Sequence, residues 1–397
     1  MRKNLNLLLA FAVCALCAPG AQAGTPESAA FIDRGRSLFD FGRWTDARHE
    51  FLQARETLSP ADREAAQTVD FYLAACAVEL GSRDAEAALR RFEARYPGSV
   101  YANDVRFSLG SYYCAEGDMK RAREAFEKTD YKALGRARKE QYDVRMGYVE
   151  FTDGDYDKAF GYFDRIGPQS EYADHALYYK SYIDYAEGRY GRAKQGFTAL
   201  QRSDAYRDVV PYYLLQIEFH EGNYRYVVEN GGKLVQRAVP ERRKELERVI
   251  AESWFRLGDF NKTIEHLDAF AAAGGELDRD GSYLMGFSLY RTARYPEAAE
   301  YLRRACGAED ALTQNASYHL ADCYLRAGDK RAAMHAFAMA AVVVNDARIA
   351  VFRQIRHHGQ IPFLAFTHAV AELYDAFRDR FRQNPYAAQR QPVCRRR

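Results

Sequence analysis

Residues Arg106 to Phe126 read RFSLGSYYCAEGDMKRAREAF, and this stretch sets the pattern for most of the chain. Leu109, Gly110 and Tyr113 precede Gly117-Asp118, and Ala122 and Phe126 follow it. The apolar and small positions fall three and four apart on either side of Gly-Asp, the spacing of two amphipathic helices joined by a tight turn. Gly117 suits a left-handed helix end and Asp118 suits the cap of the next helix. Gly110 and Ala122 let the two helices approach closely, and Tyr113 and Phe126 fill the space around that contact.

The spacing recurs. Gly42 leads to Ala47 and Phe51, Gly154 to Ala159 and Phe163, Gly188 to Ala193 and Phe197, and Gly328 to Ala333 and Phe337. Looser copies turn at Gly222, Gly258 and Ala293, and one with a slipped second helix turns at Gly81. Successive turns lie 34 to 39 residues apart. A small residue five after the turn and an aromatic nine after it resemble the tetratricopeptide repeat, a helix-turn-helix unit of about 34 residues. The resemblance covers roughly residues 28 to 341. It implies an all-α, right-handed superhelical solenoid of about nine repeats over residues 24–341, turning near 42, 81, 117, 154, 188, 222, 258, 293 and 328. Phe92 to Ser99, followed by Ala102 and the Gly-Asp turn, is similar to exported tetratricopeptide proteins of outer-membrane assembly and cell-division coordination.

The first 23 residues read as a signal peptide. Arg2 and Lys3 precede the apolar run Leu5 to Cys17, Pro19-Gly20 break it, and Ala21-Gln22-Ala23 offers a small-x-small cleavage site. The run is too short for a permanent span, and no later stretch reaches the roughly 20 apolar residues a span needs. The expectation is an exported, periplasmic protein of the cell envelope. Of seven cysteines, Cys76, Cys114, Cys306, Cys323 and Cys394 lie beyond the leader, without the spacing of a disulfide framework or a metal site. They read as packing thiols. His357, His358 and His368 lack acidic neighbours at helical spacing, so no metal and no cofactor is expected.

The chain carries a net charge of +2 and no basic stripe interleaved with aromatics, which argues against nucleic acid as a partner. The basic run Lys132 to Lys139 reads as a solvated face or loop. Residues 342–382 carry an apolar stripe, Phe363, Phe366, Val370, Leu373, Tyr374, Phe377 and Phe381, and read either as capping helices or as a tail foreign to the array. Residues 383–397 read as an arginine-rich disordered tail.

No nucleophile motif, phosphate loop or zinc signature appears, so catalysis is not expected. The resemblance instead implies that first helices line a concave groove that holds protein or peptide partners. In the register set by the turn, positions two, three, six and ten before it face that groove. From the fourth to the eighth repeat the aromatics there are Tyr148, Phe151, Tyr178, Tyr182, Tyr185, Tyr212, Phe219, Phe255, Tyr283, Phe287 and Tyr290. Arg256, Arg291 and Arg326 stand two before successive turns, where they could grip a carboxylate or an acidic stretch. Position ten, and partly position two, can pack between helices instead, which would make part of this set core. Two other functions fit the pattern, a structural solenoid that self-associates and a helical-solenoid enzyme, and an outer-membrane-associated complex is a further candidate partner. The enzyme would need carboxylates facing one cavity, and only Glu252 and Asp322 are acidic among the groove positions.

Overall fold

The computed structural model describes residues 26–308 and 310–342. The leader, the expected cap and tail from residue 343 onward, Cys394 and the three histidines between 357 and 368 lie outside the described residues. What is described is all-α, with eighteen α-helices and, among the described residues, no strand. The chain divides into two compact units, one ending at Val210 and one beginning at Pro211.

In the first unit α1 (Pro26–Asp40) pairs with α2 (Trp44–Thr57), α3 (Arg63–Glu79) with α4 (Ala85–Arg95), and α5 (Ala102–Glu116) with α6 (Met119–Glu127). Then α7 (Arg136–Thr152) pairs with α8 (Tyr156–Phe163) and α9 (Ala173–Ala186) with α10 (Tyr190–Ala199). The second unit contains α11 (Val210–His220, but for its first residue), α12 (Tyr224–Arg237), α13 (Pro240–Leu257) and α14 (Phe260–Ala272). It continues with α15 (Arg279–Arg291), α16 (Tyr295–Ala305), α17 (Ala311–Arg326) and α18 (Lys330–Val342). Within each unit successive hairpins pack on one another, and first helices also touch first helices: α1, α3, α5 and α7 in succession in the first unit, and α13, α15 and α17 in the second.

The turns explain why the period is strict. At Gly117 the backbone is left-handed, with φ 80° and ψ 14°, and Asp118 accepts a hydrogen bond from the Arg121 N–H at 3.0 Å. Every residue at the nine turn positions has a positive φ. Eight are glycine. The other, Ala293, has φ 63° and is the one non-glycine residue with positive φ among the described residues, a conformation costing about 1 kcal/mol in an L-residue.

Within a hairpin, the contact is a large residue nine after the turn seated against a small one seven before it. A Cβ added to Gly110 would meet the Phe126 ring at 2.7 Å, and one on Gly147 would meet Phe163 at 2.8 Å. Both rings are fully buried. In the hairpin of α11 and α12 the residue seven before the turn is Leu215 and the residue nine after it is Gly231, and a Cβ at Gly231 would lie 2.6 Å from Ile250 on the next first helix, α13, and 3.9 Å from Leu215. The glycine of this hairpin thus gives room to the neighbouring first helix and not to its own partner.

The basic run is not wholly solvated. Arg138 leans inward, its side chain 11% exposed, and pairs with Asp104 on α5 while its guanidinium lies 5.7 Å from the centre of the Phe107 ring. The packing of α7 on α5 turns one face of the run toward the interior. Cys76, Cys114 and Cys323 are buried free thiols whose burial pushes each up to about 12, so they remain protonated.

Candidate aromatic faces of the first helices

Five consecutive hairpins share one local device. The residue three before the turn closes on the residue two after it, and both are aromatic. Phe151 and Tyr156 stack at 5.5 Å between ring centres, and Tyr185 meets Tyr190 at 5.9 Å. In the second unit Phe219 meets Tyr224 at 5.8 Å, Phe255 meets Phe260 at 5.8 Å, and Tyr290 meets Tyr295 at 5.9 Å. The end of a first helix and the start of a second are thereby tied by ring contact as well as by the backbone turn. Tyr156, Tyr190, Tyr224, Phe260 and Tyr295 escape a register drawn on first helices alone. Their signal is in the sequence, since each directly follows the turn dipeptide.

In the first unit these pairs extend into a ladder across hairpins. Phe151 on α7 packs edge-on against Tyr182 on α9 at 5.2 Å and against Tyr179 at 4.8 Å, and Tyr148 meets Tyr179 at 5.8 Å. Tyr182 continues to Tyr185 at 6.5 Å. Tyr148, Phe151, Tyr182 and Tyr185 all remain half-buried. Tyr178 does not belong with them. It is 9% exposed and stacks on Tyr206 at 4.7 Å, because the segment after α10 folds that ring over the position ten before the turn. Tyr178 is interior packing.

The second unit repeats the arrangement. Phe255 on α13 lies 5.6 Å from Phe287 on α15, Phe260 lies 5.7 Å from the same ring, and Tyr283 stacks on it at 5.8 Å. Tyr290 donates its hydroxyl to buried Asp322 on α17 at 2.8 Å and packs 4.8 Å from the ring of His319. Burial lowers His319 to about 4, so at neutral pH it is an uncharged wedge between Phe287 and Tyr290. Tyr212 is drawn toward α13, its hydroxyl donating to Glu245 and its ring lying under the Arg242 guanidinium at 5.2 Å. Phe219 is half-buried beside His220.

Two of the three arginines sit on rings. Arg291 lies 4.6 Å above Phe260 and 5.8 Å from Phe287, and Arg326 lies 4.7 Å above Tyr295. Arg326 also donates Nε to Asp322 at 2.9 Å, and Arg256 pairs with Glu252 at 3.5 Å. The two groove carboxylates are therefore each engaged with an arginine of their own helix, Glu252 on α13 and Asp322 on α17. Among the described residues no group of three His, Cys, Asp or Glu is placed to hold a metal, and no helix is long and apolar enough to cross a membrane.

Residues 80–137 and 283–348 match the family described as tetratricopeptide repeat. No curated protein matches the chain. Among solved structures, a tetratricopeptide repeat protein from Parabacteroides merdae is 12% identical, with 79% of this chain and 98% of that one covered and a TM-score of 0.37. The apo form of RapI is also 12% identical, covering 84% of this chain and 99% of its own, with a TM-score of 0.35.

Proposed function

We propose that this chain is a non-catalytic scaffold that holds extended segments of partner proteins along the aromatic faces of its first helices, as an exported protein of the bacterial cell envelope. The observation that carries the proposal is the aromatic pair across five consecutive turns. Rings fixed by other rings have already lost their rotamer freedom, so covering them costs little further entropy. Their exposed halves give a partner apolar area to bury. The matched repeat family is one of helical hairpins, and protein binding is the general use of such surfaces. Export rests on the charged, apolar and small-residue sequence of the leader. A full-length chain found unprocessed in the cytoplasm would remove that part of the proposal.

Twelve-residue peptides selected on the intact chain should lose affinity when single rings are cut away. For a peptide seated on the first unit, Tyr182→Ala should weaken binding about tenfold or more, and for one on the second unit Phe287→Ala should do the same, as expected for central aromatic anchors. Circular dichroism melting checks that both variants fold. Peptides that bind wild type and both folded variants equally would show that the rings are packing and not a binding surface.

A further inference from the structure

Residues 26–342 hold 45 Lys and Arg against 51 Asp and Glu, so this stretch is net acidic. The twelve residues from Lys233 to Lys244 reverse that balance, with five cations and one carboxylate. Elsewhere in the second unit Lys262 pairs with Glu265, Arg279 with Asp310, Arg294 with Glu297 and Arg304 with Glu300. In the basic stretch Arg242 lies over the Tyr212 ring, but among the described residues none of Lys233, Arg237, Arg243 and Lys244 is ion-paired. Glu229 stands one turn before Lys233, and Glu241 lies in the first turn of α13, yet neither engages them.

The fold gathers the four at one corner. α12 ends at Arg237 and α13 begins at Pro240, so two residues join helices that pack on each other. Lys233 and Arg237 are one turn apart on α12, about 6 Å by the rise of a helix, and Arg243 and Lys244 lie within the first five residues of α13. Lys233, Arg237 and Arg243 are exposed, and at the tip between the helices Val239 is 55% exposed beside exposed Pro240. We infer that this corner docks on the surface of an anionic phospholipid leaflet, the Val239-Pro240 tip entering the interface and the four cations meeting lipid phosphates. An apolar tip ringed by cations matches the layering of a bilayer face, with hydrocarbon at depth and phosphate above it. An acidic peptide would meet the cations and leave the tip in water. Phe255 lies toward the other end of α13, so the surface is additional to the aromatic face.

The fluorescent amino acid Anap at position 239 of the full chain reads docking locally, whatever the leader and the C-terminal arginines do. The same residue at position 257, an exposed leucine at the far end of α13, is the control. Phosphatidylcholine vesicles containing one-third phosphatidylglycerol should blue-shift the emission at 239 and leave 257 unchanged. Pure phosphatidylcholine should shift neither, and about 0.5 M salt should reverse the shift. Vesicle affinity read at 239 should fall about fivefold for Arg237→Gln or Arg243→Gln alone, the contribution of one cation near an anionic leaflet, and about twentyfold or more for the two together. Circular dichroism melting checks that these variants fold. No shift at 239, equal shifts at 239 and 257, an equal shift on pure phosphatidylcholine, or indifference to the arginine variants would overturn the assignment. A shift at 239 produced by a glutamate-rich peptide and not by vesicles would overturn it in favour of an acidic protein partner, and one reproduced by inorganic phosphate at matched ionic strength would reduce the corner to a small-anion site.

Discussion

Phe126→Ala should lower the stability of the first unit by about 4 kcal/mol, the middle of the range for emptying a fully buried phenylalanine site. Phe126 is completely enclosed, packed edge-on to Phe107 at 5.9 Å and Tyr142 at 5.3 Å, with the bare Cα of Gly110 opposite. Glycine there means that no side chain on α5 can expand into the cavity. Hairpins of this kind contact chiefly their neighbours, so the loss should be local. Amide hydrogen exchange should quicken in α5, α6 and α7 and remain unchanged in α15 and α16. The bare Cα of Gly110 facing the Phe126 ring suggests a rescue: adding Gly110→Leu to Phe126→Ala should recover part of the loss, although Gly110→Leu alone overpacks and destabilises. A loss under 1 kcal/mol, or one spread evenly over both units, would contradict this account of the hairpin contact.

Glu79→Gln should have the opposite sign and a pH dependence. Glu79, at the end of α3, has its Oε2 shut from solvent with no hydrogen-bond partner among the described residues. Burial raises its carboxyl to about 8, against the opposing influence of Arg145 and Arg138. An unfolded glutamate titrates near 4.3. Below that pH both states hold the proton and the glutamate costs nothing. From there to about 8 the folded chain keeps a proton that the unfolded chain releases, so stability falls as pH rises. Glutamine removes that linkage. The variant should be more stable than wild type by roughly 2 kcal/mol at pH 7, a figure discounted for the partial exposure of the side chain, and indistinguishable from it at pH 4. Urea denaturation at the two pH values reads both. Equal stability at pH 7, or a gain that persists at pH 4, would show that Glu79 is ionised in the folded chain or acts through packing alone.

The hairpins were legible because each turn demands a residue that tolerates positive φ, and glycine marks that demand at Gly42 as plainly as at Gly328. Even Ala293, where the mark is missing, was found from the period on either side. The faces were only partly legible. Phe151, Phe255 and Phe287 keep an exposed part where they contact the next or preceding first helix. Tyr178 does not, because what covers it is Tyr206 in an irregular segment that repeat register cannot describe. The rings two after each turn were missed since they belong to second helices and reach the first by bending back over the turn. Arg138 was misread for a related reason: its environment is set by Asp104 and Phe107 on a different helix, a pairing that local charge pattern does not reveal.

The claim that first-helix rings form the binding surface is tested most directly by site-specific photo-cross-linking. p-Benzoylphenylalanine would replace Tyr182, Phe287 or, as control, Tyr226, an exposed residue of the second helix α12. The intact chains would be irradiated with a selected peptide bound. Cross-links from position 182 or 287 and none from 226 are what the aromatic faces predict. Cross-links from 226 alone, or equally from all three, would contradict them.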